Sequence, residues 1–249
     1  MSGAFPTKAF RWTHGSPGRI EYSKHCPAGG FFFALFSLFR FALSIGLLER
    51  PLVVGFLLAL ITGEVFTALL IAVFFELLWL DLIPAGTFIP PNSIFCVTST
   101  VILCAHFQLE HTGMILLLML LSIPGAYILS RIEGWYRIRQ NKKYNLILRQ
   151  SRDRFSIYSP GKMILQSLAG SFGVNLVSAC LGIYLLAVVY PHLSGVFQFQ
   201  RELDWSVILI AASFSALAGL RVKKANISLI TGMILVSAAL AWMQWPIEI

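Results

Sequence analysis

The sequence predicts an all-α, polytopic integral membrane protein with broken or re-entrant helices in its N-terminal half. Three observations carry that expectation. Of 249 residues, 57% are hydrophobic and 12% charged, and the mean hydropathy is +0.77. A soluble domain carries about a quarter charged residues, so this chain cannot cover a water-facing surface and its solvent is hydrocarbon. Its apolar residues fall into successive runs, and between residues 52 and 92 those runs are interrupted by glycine, proline and acids. A bilayer-embedded unit of this length is one domain or two packed helical subdomains.

The elements follow in order. Residues 1–30 are Gly-, Pro- and base-rich without an apolar core, which reads as a disordered basic tail rather than a secretory signal. Residues 31–48 form the first apolar run, broken only by Arg40. Residues 52–83 form a long run broken at Gly63-Glu64, and 94–107 a short one. Residues 112–129 make a clean span, 164–189 a long Gly-interrupted one, and 207–220 and 227–245 close the chain. A full crossing takes roughly 20 residues, so several runs are too short to cross.

The net charge of +8 is uneven: nine of the 19 Lys and Arg lie between Arg131 and Lys162, against Glu133 and Asp153. Three more sit at Arg221, Lys223 and Lys224. Such clusters mark cytoplasmic loops, and attraction to the anionic leaflet accounts for them without nucleic acid. The segment from 132 to 156 mixes Trp135, Tyr136, Ile138 and Tyr144 with its cations, the pattern of a basic amphipathic helix on the inner leaflet. Placing both basic loops inside makes 112–129 run inward. With the basic tail also inside and 31–48 running outward, residues 51–107 begin and end outside, and three full crossings cannot satisfy that parity. At least one of the three short pieces is therefore expected to be re-entrant or half-spanning, as where transporters hold substrate.

Ionisable groups at membrane depth are costly and are functional candidates by default. Here they concentrate between residues 40 and 92: Arg40, Glu49, Arg50, Glu64, Glu76 and Asp81. Glu76 lies inside the apolar run Phe74-Phe75-Glu76-Leu77-Leu78 and is the hardest to assign to structure alone. Arg40 and Arg50 have a structural reading, pairing with Glu49 or a lipid phosphate, and Glu64 one as a helix-start residue. Pro84, Gly86, Pro90 and Pro91 then prevent a continuous helix, and Asn92 can cap a helix beginning at Ser93. A neutral hexose suits such a place: its hydroxyls each donate and accept, so carboxylates and amides bind them in pairs. Trp79 or Phe88 can pack on its C–H face. The four cysteines form no CxxC pair and read as small packing residues. The five histidines show no metal-ligand spacing, so no metal or cofactor is expected.

From Arg40 to Leu103 the chain resembles the IIC subunit of the mannose, fructose and sorbose family of the phosphoenolpyruvate-dependent phosphotransferase system. Arg40 and Glu49-Arg50-Pro51-Leu52 stand where the family has an Asp-Arg pair and a Ser/His-Arg-Pro-Leu turn. Gly63-Glu64 stands for its Gly-Asp, and Phe75-Glu76-Leu77-Leu78-Trp79-Leu80-Asp81 for its Leu-Glu-hydrophobic-Leu-Gly segment. Gly86-Thr87 and Pro90-Pro91-Asn92 stand for its Gly-Ala and Ala-Pro-Asp elements. Three positions depart: Asp81 replaces a glycine, Asn92 an aspartate, and Phe39 the aspartate beside Arg40. Beyond residue 130 the match is one of hydropathy.

The resemblance implies a multi-pass subunit of the bacterial inner membrane that moves a substrate-carrying core in an elevator-like way. It implies a IID membrane partner, IIA and IIB phosphocarriers, and a homo-oligomer of IIC–IID pairs. A mannose-like hexose is phosphorylated by IIB as it arrives, so no catalytic phosphoryl-transfer residue is expected here. Glu76 and Asn92 are the expected hydroxyl ligands, with Thr87, Glu64 and Asp81 lining the site. Arg40, Arg50, Pro51, Gly63, Gly86 and Pro91 are expected to shape the broken helices. Two other classes fit the hydropathy: the substrate-binding component of another uptake system, and a non-transporting sensor or scaffold. An intramembrane enzyme would need HExxH- or DDxxD-like pairs, which the sequence lacks.

Overall fold

A computed structural model describes residues 28–38, 50–80, 82, 89–153, 160–197, 203–219 and 231. Within them the chain is all-helical. Seven helices run in order: α1 (Ala28–Leu38), α2 (Pro51–Thr62), α3 (Val65–Leu78), α4 (Ser93–Phe107), α5 (Thr112–Asp153), α6 (Pro160–Ser194) and α7 (Trp205–Gly219). Apart from residue 231, the expected span at 227–245 lies outside the described residues, as does nearly all of the tail at 1–30. α1 starts at Ala28, inside the stretch read as tail, because Gly29 and Gly30 are buried against Ile102, Ile183 and Cys180.

Local chemistry sets the short helices. Pro51 opens α2 at a position whose N–H has no partner inside the helix. Gly63 closes it in the left-handed region (φ 79°), its N–H donating to the Ala59 carbonyl at 2.9 Å. Two residues later α3 begins and returns along α2. The pair packs closely because Gly55 faces Ala72; a Cβ at Gly55 would strike the Ala72 methyl. α2, α3 and α4 hold 12, 14 and 15 residues, so each is only about 18–22 Å long against a hydrocarbon layer of about 30 Å. The expected half-length pieces are therefore present, arranged as an antiparallel hairpin followed by a third short helix.

Nothing lies within 4 Å of a Cβ built on Gly63, so a substitution there meets only backbone strain. Gly63→Val is expected to cost about 1–2 kcal/mol and Gly63→Asn clearly less. The melting temperatures of the purified proteins in detergent check this order.

The C-terminal half is built differently. α5 and α6 hold 42 and 35 residues, and the segments Thr112–Leu146 and Met163–Ser194 are long and apolar enough to cross a membrane. The boundary seen at residue 130 in the sequence is one of composition only: α5 passes through it unbroken into the basic segment. α6 likewise runs past residue 189 to Ser194, with Tyr190 buried against Phe107 (ring centroids 5.2 Å).

The core centres on Phe95, fully buried in α4. It meets Phe33 of α1 edge-on at 6.0 Å. Its ring fits between Gly125 of α5 and Gly182 of α6, where added Cβ atoms would collide with it. Small residues let membrane helices approach this closely. The outer surface is strongly apolar, with Phe66 71%, Ile61 69% and Leu60 63% exposed at the hairpin tip. Water would penalise such a surface and lipid does not.

Candidate substrate site between α3 and α4

Glu76 sits in the last turn of α3, the end of a helix where a negative charge is disfavoured by the backbone dipoles. The fold compensates for this in two ways. The Arg50 guanidinium donates to Glu76 Oε1 through Nη1 at 3.0 Å. The Leu52 backbone N–H, in the first turn of α2, donates to Oε2 at 3.3 Å. Arg50 supplies no side-chain cap to α2; the carboxylate of the neighbouring helix takes that place, at the dipole's positive end. Arg50 thus pairs with Glu76; Glu49 lies outside the described residues.

Each oxygen of Glu76 uses one of its two acceptor directions in this way, leaving two for other donors. Its side chain is 21% exposed, and that of Arg50 58%. Trp79 follows within a turn, stacked on Phe75 with ring centroids 5.5 Å apart.

Asn92 lies across the connecting segment. It caps α4, as its position before Ser93 predicted: the Phe95 N–H donates to Oδ1 at 3.4 Å. Its backbone N–H donates to the Ala126 carbonyl at 3.3 Å, tying the proline-rich segment to α5. Asn92 is 1% exposed, and Pro90 and Pro91 beside it are buried. Glu76 thus stands at the end of α3 and the buried Asn92 at the start of α4, with the proline-rich connection between them in the chain. Asp81, Gly86 and Thr87 in that connection, and Arg40, lie outside the described residues.

Glu64 is placed elsewhere. It precedes α3 at the tip of the hairpin, exposed and making no side-chain cap. Twelve residues separate it from Glu76, about 18 Å along a helix. Pro51 opens α2 and Gly63 closes it at the hairpin turn.

Sequence reasoning did not find the Arg50–Glu76 pairing, although a signal existed. Arg50 stands thirteen residues before Gly63 and Glu76 thirteen after it, so a hairpin folded at that glycine brings them level. It also passed over a polar patch inside α4. Thr98, Ser99 and Thr100 are fully buried, and the Cys96 thiol donates to the Ser122 carbonyl at 3.4 Å. Among the described residues no group of three His, Cys, Asp or Glu side chains could hold a metal ion.

The family profile described as the PTS system sorbose-specific IIC component matches residues 30–188. The chain belongs to this family. The matched region runs from α1 to near the end of α6 and encloses the whole α2–α3–α4 site. It also extends through the long helices, where hydropathy alone carried the resemblance. No curated protein and no solved structure matches the chain significantly. This sorbose-type IIC protein is a sugar-permease subunit of the phosphotransferase system, integral to the membrane, and works with IIA and IIB components.

Proposed function

We propose that this IIC protein imports a mannose-like hexose, which a separate IIB protein phosphorylates on arrival. In this reading it spans the bacterial inner membrane several times, pairs with a IID subunit, and assembles as a homo-oligomer of those pairs. Glu76 and Asn92 bind sugar hydroxyls, with Asp81 and Thr87 contributing from the connection between them. Glu64, at the far end of α3, serves a second position along the path. The observation that supports this most is the setting of Glu76. Its carboxylate is held by Arg50 and the α2 backbone, retains acceptor capacity, and forms with Arg50 a pair without net charge. A neutral polyol needs such a site, rich in acceptors but electrically balanced. Phosphorylation then adds charge to the sugar and removes it from the transport equilibrium, making uptake directional without an ion gradient.

The direct test is phosphoenolpyruvate-dependent phosphorylation of a hexose panel by membranes holding this chain and IID, with the soluble components added. Mannose-like hexoses are expected to be phosphorylated; a panel without any product sinks the reading. Asn92 separates structure from binding. Asn92→Asp keeps a capping oxygen, whereas Asn92→Ala loses the cap at about 0.5–2 kcal/mol. Asn92→Ala is expected to lower uptake and melting temperature together, whereas Asn92→Asp, the residue the resemblance places there, is expected to keep uptake while its buried charge lowers the melting temperature. Wild-type uptake by Asn92→Ala would leave Asn92 a cap alone.

A further inference from the structure

Two hydroxyls in α4 take no part in the contacts described so far. Thr98 and Thr100 are fully buried, and among the described residues neither hydroxyl has a hydrogen-bond partner. A serine or threonine inside a helix usually turns its hydroxyl back to a carbonyl three or four residues earlier. Thr62, Ser99, Ser122 and Ser178 do this at 2.7–3.2 Å. Thr98 and Thr100 do not, and a buried hydroxyl without a partner destabilises the fold. A helix that keeps two of them has a use for them beyond packing.

Their place on α4 shows which interface they serve. Phe95 points toward Gly125 and Gly182, and Ile102 toward Gly29. Cys96 points toward Ser122, so α1, α5 and α6 take one side of the helix. At about 100° per residue, Val97 and Val101 lie on the opposite side. That side is left to α2 and α3, both of which pack on α4. Thr98 and Thr100 flank the valine strip, one at each border. Hydrogen bonds tie α4 to α5 at Asn92 and Cys96. The valine strip meets the hairpin by apolar contact, which has no direction and lets surfaces slide. The two hydroxyls stand about 9–12 Å along α4 from Asn92, so they lie beyond the site at Glu76 and Asn92 rather than within it.

We infer that Thr98 and Thr100 form a further sugar subsite, met by the hydroxyls of a hexose in the seam between α4 and the α2–α3 hairpin. The inference rests on the functional reading above, whose hexose is the ligand. Each threonine hydroxyl donates one hydrogen bond and accepts others, so it can exchange partners with successive sugar hydroxyls. Both groups are neutral, which suits passage, since hydrogen bonds to a charged group are about twice as strong and would retain the sugar. Sugar in the seam gives the two hydroxyls partners and offsets the destabilisation they cause without it.

The test uses the full chain with its IID subunit in nanodiscs and the soluble components added, reading phosphoenolpyruvate-dependent phosphorylation of mannose and the melting temperature. Thr98→Val and Thr100→Val keep the shape and remove only the hydroxyl. Each is expected to lower the rate at low mannose about three- to tenfold. The melting temperature is expected to hold or rise, because an unsatisfied hydroxyl is removed. Thr98→Ser and Thr100→Ser keep the hydroxyl and are expected to stay within about twofold of wild type. Undiminished rates in both valine variants overturn the inference. It is also overturned if the valine variants lose melting temperature together with rate, since the hydroxyls then hold structural water. Serine variants as slow as the valine ones overturn it too, because the methyl groups then matter and the hydroxyls do not. Failure of the functional reading looks different: the wild-type complex itself phosphorylates no mannose, and the inference falls with it.

Discussion

Glu76→Ala is expected to reduce phosphotransferase-dependent hexose uptake by about 100-fold or more, and Glu76→Gln by about tenfold, in cells that also supply IID. The magnitudes follow from what each substitution removes. A hydrogen bond to a charged group contributes about 1.5–3 kcal/mol, and each 1.4 kcal/mol is a factor of ten. Alanine removes the acceptors for sugar hydroxyls, for Arg50 and for the Leu52 N–H together. Glutamine keeps one carbonyl oxygen and replaces the other with a donor, so one of those partners must be lost. The ion pair as such contributes little. Arg50 is 58% exposed, and an exposed pair typically gives about 0–1 kcal/mol. A double-mutant cycle with Arg50→Gln and Glu76→Gln should therefore show weak coupling in melting temperature and strong coupling in uptake. If Glu76→Ala transports normally while folded, the carboxylate does not bind sugar.

The second large effect lies in packing. Phe95→Ala is expected to cost about 3–5 kcal/mol, the range for emptying a large buried aromatic site. Gly182→Ala is expected to cost about 1–3 kcal/mol by overpacking. A Cβ at Gly182 would stand 2.8 Å from Phe95 Cζ. A ring tip can often swing away from such a contact, but here Gly125 faces the same ring, leaving it no room. Phe95→Leu should therefore rescue much of the loss in Gly182→Ala, because the two changes share one space. Melting temperatures of the four proteins in detergent measure this coupling. Additive losses would mean that α4 and α6 do not meet at this ring.

Part of the site was legible because its determinants are local. The break at Gly63-Glu64 follows from one residue free to take positive φ. The start of α4 at Ser93 follows from an asparagine whose side chain reaches a backbone N–H three residues on. Glu76 stood out because a carboxylate flanked by phenylalanines and leucines is costly in hydrocarbon. What Glu76 does with its two oxygens was not legible. Arg50 and Leu52 are 26 and 24 residues away, and whether they reach it depends on the register in which two helices pack, which Gly55 and Ala72 decide. The continuity of α5 was missed for a related reason. Composition changes sharply near residue 130, but a helix ends only where its backbone hydrogen bonds are interrupted, and no residue there interrupts them.

The sequence by itself determined the solvent, the helical class, the places where helices must break and the residue types able to meet a sugar's hydroxyls. All of these depend on side-chain chemistry read over a few neighbouring positions. Tertiary structure alone decided that Arg50 balances Glu76, that Phe95 is clasped by two glycines, and that α5 and α6 pack side by side at Gln140–Ser167 and Tyr136–Gly170. Those outcomes depend on which surfaces of distant helices face each other, a property of the packed whole that no short stretch of chain encodes.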